Sequence, residues 1–355
     1  TSVEELSGLA AEDMVATLGV NASTAGIRTV NFLGTDTDDT LTVTSDFASD
    51  LTVKLNDATT DDGEHADIAA SAFTNKLTVD AGKTLVMTAD NTITGGSGTS
   101  DVLKLGAAVG VLTNVSNIET FMPSSDVSTA ITLAAGNAAA GKGLLVDGSS
   151  LVTSTSVFTV IATNETGDGK ITITGGAGND LITISAGDGG TDEYGDSISG
   201  GAGNDTFLFD GSDLEKLDTI SGGAGTDTLQ LTTDGGTVTD AQFEGITSVE
   251  TFTVSAGSRL TGLTLGAKAQ ASGLETVDLT SDTLVHTVTV GSDFTNALSV
   301  TSVTDANNAD SIDGSASVAA ITLSMLAADM NDNAVVFKGG TSANDVLNIK
   351  TGNGS

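Results

Sequence analysis

The sequence predicts an all-β chain: an elongated stack of strands arranged as a β-helix, with a short N-terminal helix and a glycine-rich parallel β-roll at its centre. Three observations carry this prediction. Short runs alternate Thr with Val, Leu or Ile, as in "DTLTVTSDF", "NKLTVDAGKTLVMTA" and "VHTVTVGSDF", which is the period of half-buried strands. The stretch from Gly175 to Leu231 carries GGAG-x-D three times, each copy followed by another apolar or threonine-rich run. A second repeat runs beside it: "SNIETF" at 116–121, "TSVETF" at 247–252 and "SGLETV" at 272–277, with "AGIRTVNF" at 25–32 as a divergent copy.

In chain order, residues 1–20 read as a short helix and linker. Ser2 and Glu5 have capping-box spacing; Val3, Leu6, Leu9, Ala10, Met14 and Leu18 form an apolar stripe; Gly19 is a stop signal. Residues 21–174 are a β-rich repeat region with degenerate glycine–aspartate turns, and 175–231 is the roll. A second β-rich region follows over 232–338, in which "TLSMLAADMNDN" at 322–333 is a weaker helix candidate. Residues 339–355 begin a fresh turn and strand with no "ET" strand after them. Stacked arrays normally end in caps, so the chain is expected to be a slice of a longer array.

Composition bounds the partners. There are 47 acidic residues against 12 basic ones, a net charge of -35. Nucleic acid and anionic membrane surfaces would be repelled, and cations attracted. A single proline, a mean hydropathy of +0.14 and the many alternating runs argue against a disordered acidic chain. The lack of cysteine fits an extracellular protein that does without disulfides. No apolar run is long enough to cross a bilayer as a helix.

The pattern GGxGxDxUx, with U apolar, has a physical logic. Glycines reach positive φ and leave carbonyl oxygens uncovered, so a tight turn can aim several oxygens at one point. The aspartate adds a carboxylate, and the apolar residue anchors the following strand. Stacked turns of this kind sandwich Ca²⁺, whose preference is for oxygen ligands; zinc or copper would want His or Cys. The metal's binding free energy then becomes folding free energy.

The candidate ligands are the turns Gly175, Gly176, Gly178 and Asp180; Gly200, Gly201, Gly203 and Asp205; and Gly222, Gly223, Gly225 and Asp227. Asp196 to Asp205 and Asp218 to Asp227 are each nine residues, one nonapeptide step. The same-side aspartates Asp180, Asp205 and Asp227 lie 25 and 22 residues apart, where an ideal roll gives about 18. The excess sits in enlarged, acid-rich opposite turns with Asp188, Asp192, Asp196, Asp210, Asp213 and Asp218. A short, irregular roll holding about two to four calcium ions is expected.

Three further turns depart from the pattern, each fitting either a single calcium or a plain acidic turn. These are "GGSGTSDVLKL" with Asp101, "GGTSANDVLNI" with Asp345, and "GTDTDDTLTV" with Asp36, Asp38 and Asp39. The acidic loop "ATTDDGEHAD" with His65 reads as solvated. No HExxH occurs, "GSGTS" at 96–100 is not a nucleophile elbow, and His286 sits in an alternating strand, "LVHTVTV". No catalytic constellation is expected.

At these residues the chain resembles a known group. "GGAGNDLIT", "GGAGNDTFL" and "GGAGTDTLQ" match the nonapeptide of RTX (hemolysin-type calcium-binding) proteins over about a sixth of the chain. With its Thr/Ala/Ser/Gly-rich strands, it is similar to RTX-containing surface-layer (S-layer) proteins of Gram-negative bacteria. The resemblance implies type I secretion, folding in external calcium, and self-assembly into a lattice of identical copies on lipopolysaccharide at the cell surface. It carries Asp180, Asp205 and Asp227 over directly, and Asp101 and Asp345 through deviating turns. A repeat segment of a large RTX adhesin, or the secretion and folding module of an exported hydrolase, are the alternatives.

Overall fold

The computed structural model describes residues 3–8, 13–32, 38–55, 66–82, 91–98, 100–106, 108–138, 142–163, 169–183, 195–209, 218–233, 235–281, 284–302, 310–326 and 336–350. Asp36, His65, Asp188, Asp192, Asp210 and Asp213 lie outside them. The chain divides into two compact units, Thr1–Asp180 and Leu181–Ser355. Each is a parallel β-solenoid whose regular structure is nearly all strand.

In the first unit one sheet runs through Glu5–Ser7, Thr29–Phe32, Leu51–Leu55, Leu77–Asp80, Val102–Leu105, Thr120–Pro123, Gly143–Asp147 and Lys170–Thr174. A second holds Val15–Leu18, Asp39–Val43, Ala66–Ala69, Thr92–Thr94 and Val115–Ser116. The chain alternates between these two as far as Val102–Leu105. It then opens a third sheet at Ala108–Val111, ends the second at Val115–Ser116, and returns to the first at Thr120–Pro123. Thereafter it alternates between the first and the third, which continues with Thr129–Thr132 and Phe158–Ile161.

The second unit repeats this exchange. Ser197–Ala202 and Thr219–Ala224 share a sheet that ends with Ile246–Thr247. A long sheet runs from Leu181–Thr183 through Thr206–Phe209, Thr228–Leu231, Thr251–Val254, Thr276–Asp278, Leu298–Thr301 and Ile321–Leu326 to Val346–Lys350. A new one starts at Gly236–Val238 and proceeds through Leu260–Leu265, Thr287–Val290 and Ser311–Asp313 to Val336–Lys338. In both units the exchange happens in the coil that joins a glycine–aspartate turn to an "ET" strand.

The alternating runs form these strands because every second side chain reaches the interior of the coil. Phe207, Leu229, Phe252, Val277, Val300 and Leu323 stand in register on successive strands, all fully buried. Their neighbours Thr206, Thr228, Thr251, Thr276, Ser299 and Thr322 line up on the outer face. Phe252 packs against Phe209 and Phe243 with ring centroids 6.3 and 6.1 Å away.

The "ET" repeat has a common backbone. Two positions before the Glu or Arg stands a left-handed residue: Gly26 (φ 99°), Asn117 (53°), Ser248 (53°) and Gly273 (100°). The apolar residue after it, Ile27, Ile118, Val249 or Leu274, is buried. In two copies the left-handed residue closely follows a short helix, Val20–Ala25 or Ala267–Ala271.

The helix expected within residues 1–20 is not formed in the described part of that stretch. Glu5–Ser7 and Val15–Leu18 are strands, paired with Thr29–Asn31 and Thr40–Val43, and the helix begins only at Val20. Edge pairing with the next coil outweighs local helix propensity here. Ile321–Leu326 is likewise a strand rather than a helix, held in register by Leu298–Thr301.

Candidate metal centre

Among the described residues, Asp101, Asp180, Asp196, Asp205, Asp218, Asp227 and Asp345 each stand just before a strand, and Asp39 opens one, at the corner where one coil meets the next. That position gives it a partner the sequence alone does not reveal: the backbone N–H of the equivalent residue one coil earlier. Asp101 Oδ1 accepts from Leu77 (2.8 Å), Asp180 Oδ1 from Phe158 (2.7 Å), Asp227 Oδ1 from Asp205 (2.8 Å) and Asp345 Oδ1 from Ile321 (2.9 Å). Asp218 does the same for Asp196 (3.0 Å), Asp39 for Met14 (2.7 Å) and Asp310 for His286 (2.7 Å). The glutamates of two "ET" repeats continue the series: Glu119 accepts from Asp101 (2.9 Å) and Glu250 from Asp227 (2.8 Å). These acids are inter-coil staples, each bond to a charged acceptor contributing about 1.5–3 kcal/mol.

The second carboxylate oxygen separates the turns into two kinds. In the closed kind it accepts the N–H of the second glycine: Gly96 for Asp101 (2.5 Å), Gly176 for Asp180 (2.6 Å) and Gly340 for Asp345 (2.8 Å). In the open kind, at 200–205 and 222–227, the strands run on through the glycines. Ser197–Ala202 and Thr219–Ala224 are both six residues long, with Gly201 paired to Gly223. Here Gly223 donates no bond to Asp227 Oδ2, and Gly201 (φ 102°) and Gly223 (φ 109°) are left-handed, as are Gly203 and Gly225. Gly96, Gly176 and Gly340 are not among the left-handed glycines.

The consequence is plain at Asp227. Its side chain is fully buried, and Oδ2 has no hydrogen-bond partner. Carbonyl oxygens crowd the same stack. A Cβ on Gly223 would stand 2.1 Å from Gly201 O, one on Gly225 1.8 Å from Gly203 O, and one on Gly222 1.8 Å from Ser248 O. Only glycine admits this approach.

Electrostatics follow geometry. Burial raises the carboxyl pKa values of Asp101, Asp180, Asp227 and Glu119, against the lowering effect of their N–H donors. Glu250 raises Asp227 further. A buried carboxylate oxygen without a donor, beside carbonyls and a second carboxylate, fits a hard cation with oxygen ligands. The closed turns fit one less well, since both oxygens of Asp101, Asp180 and Asp345 already accept N–H groups. Among the described residues no group of three or more acidic, His or Cys side chains stands together, so a cation here would draw largely on backbone oxygens.

Sequence reasoning missed the stapling role and the parts played by Glu119, Glu250 and Asp310. The "ET" spacing was the available signal for the glutamates. His286 is fully buried, its Nδ1 3.2 Å from Asp310 Oδ1, while the Ser302 hydroxyl donates to Asp310 Oδ2. The carboxylate lies between serine and imidazole, an order in which His286 cannot take the Ser302 proton as a hydrolase base does.

No protein-family model, no curated protein and no solved structure matches this chain significantly.

Proposed function

We propose that this chain is a non-catalytic structural protein of the bacterial cell surface, folded in part by calcium and assembling with copies of itself. The observation that carries the reading is the buried, partnerless Oδ2 of Asp227 in a turn whose glycines expose their carbonyls. Calcium supplies there the positive charge that a carboxylate in a low-dielectric corner requires.

Asp205 and Asp227 with the backbone oxygens of 200–203 and 222–225 would hold it, whereas the turns at Asp101, Asp180 and Asp345 stand on their N–H donors. Calcium dependence is therefore concentrated in residues 195–231, with flanking coils that keep their staples in its absence. The net charge of -35 supports a second role for divalent cations, bridging protomers that otherwise repel. The surface-layer assignment, secretion by a type I exporter and attachment to lipopolysaccharide follow from the motif resemblance.

The test is a calcium titration of the purified chain, following β-sheet circular dichroism and light scattering together, with magnesium and chelator as controls. Structure and large assemblies that both appear with calcium and reverse with chelator support the proposal. Added structure without assembly points to the adhesin or secretion-module reading. A chain indifferent to calcium in both signals overturns it.

A further inference from the structure

Resting on the calcium reading above, we propose that the "ET" corner at 248–251 closes a cation site of its own. Asp227, Glu250 and the Ser248 carbonyl supply its oxygens. The twin corner at 117–120 does not form such a site.

The two corners are built alike. In each, a glycine–aspartate turn is followed by a left-handed residue whose carbonyl reaches back to the first glycine. A Cβ on Gly95 would lie 1.8 Å from Asn117 O and 2.9 Å from Asp101 Oδ2; on Gly222 the distances are 1.8 Å to Ser248 O and 2.4 Å to Asp227 Oδ2. In each, the glutamate two residues later accepts the aspartate's own N–H, Glu119 from Asp101 and Glu250 from Asp227. The same three oxygen bearers therefore converge in both places.

What differs is how the second aspartate oxygen is satisfied. Asp101 Oδ2 takes the Gly96 N–H, and the ammonium groups of Lys76 and Lys142 act favourably on Asp101 and Glu119. Asp227 Oδ2, equally buried, has no donor, because Gly223 is held in the strand ladder with a left-handed φ. Like charge acts at both corners, Asp101 on Glu119 and Glu250 on Asp227, and lysine offsets it at the first. Two carboxylates and a carbonyl facing one buried corner form a binding site for a hard divalent cation. Here the "ET" strand takes the place of a further glycine–aspartate turn, so the stack ends on a bound ion.

The experiment compares Glu250→Gln with Glu119→Gln in the full chain, counting bound calcium by equilibrium dialysis. Glutamine keeps an oxygen for the aspartate N–H at either corner, so both staples survive. Glu250→Gln should bind one ion fewer, or bind it about ten- to a hundredfold more weakly, and Glu119→Gln should match the unaltered chain. Hydrogen exchange on the unaltered chain gives a second readout that needs no variant. The Asp227 amide should become protected on calcium addition, and the Asp101 amide should exchange equally with calcium or chelator. Equal ion counts and affinities for the two variants, or equal calcium responses at the two amides, overturn the inference while leaving the calcium reading intact. No calcium bound by the unaltered chain overturns both.

Discussion

Replacing Asp180 or Asp227 by asparagine separates a staple from the proposed metal ligand. Asparagine at 180 keeps one oxygen for the Phe158 N–H but turns its amide NH₂ toward the Gly176 N–H, setting donor against donor where a bond of 2.6 Å stood. The loss is one charge-assisted bond plus a buried N–H left unmatched, offset by removing a desolvated charge. The net cost is about 3 kcal/mol, or about a hundredfold in the opening equilibrium. The assay is hydrogen exchange at the Phe158 amide, which donates to this carboxylate. It should speed up about a hundredfold, and by the same factor in calcium and in chelator. Asparagine at 227 still serves the Asp205 N–H through its oxygen, while its NH₂ replaces the partnerless Oδ2. In chelator the Asp205 amide should exchange no faster than before, because a buried charge beside Glu250 has been removed. In calcium it should lose the ion's contribution, about 2.7 kcal/mol when calcium stands at about a hundred times the dissociation constant. If Asp180→Asn mattered only in calcium, or Asp227→Asn mattered equally in chelator, the division into closed and open turns would be refuted.

Gly222→Ala and Gly95→Ala should each cost at least about 1–3 kcal/mol by forcing a Cβ against a backbone carbonyl. Gly143→Ala, with nothing within 4 Å of its Cβ, should be neutral or stabilising by up to about 1 kcal/mol; chemical denaturation distinguishes the three. The chelated chain should melt at higher temperature as pH falls from neutral toward the ordinary carboxylate range. Asp101, Asp180 and Asp227 have raised folded pKa values, so the folded chain binds more protons than the unfolded one between about 3.9 and those values, and stability falls as pH rises through that window. A melting temperature that dropped on mild acidification would contradict this. Phe252→Ala should cost about 3–5 kcal/mol, since Phe252 is fully buried between Phe209 and Phe243, and near-ultraviolet circular dichroism during thermal melting would register it.

Strands were legible in the alternation itself, and turns in the glycine pairs, because both are local. The "ET" repeat was legible as a pattern, but its meaning was not. That Asn117 and Ser248 share a left-handed backbone with Gly26 and Gly273 shows only when the four are superposed as corners. The N-terminal stripe misled because Val3, Leu6, Leu9, Ala10, Met14 and Leu18 satisfy a helical period while two short strands, Glu5–Ser7 and Val15–Leu18, use part of the same set. Gly8, inside the supposed helix, was the warning. The stapling carboxylates were hidden for a different reason. Leu77, Phe158 and Ile321 lie 22 to 24 residues before the aspartates they bind, and no local rule connects them. Nor could identical GGAG-x-D letters reveal that Asp180 is closed and Asp227 open, because that depends on whether the strand stops before the glycines or runs through them.

The staples also bear on how such a chain can grow. Each stapled coil brings its own acceptor for the coil before it, so the bond that holds a junction is encoded on one side of that junction only. Duplicating or deleting one whole coil leaves a matching donor and acceptor at the new seam, with no second change required elsewhere. Copy number is thereby uncoupled from foldability, and the number of coils can drift under selection for length alone.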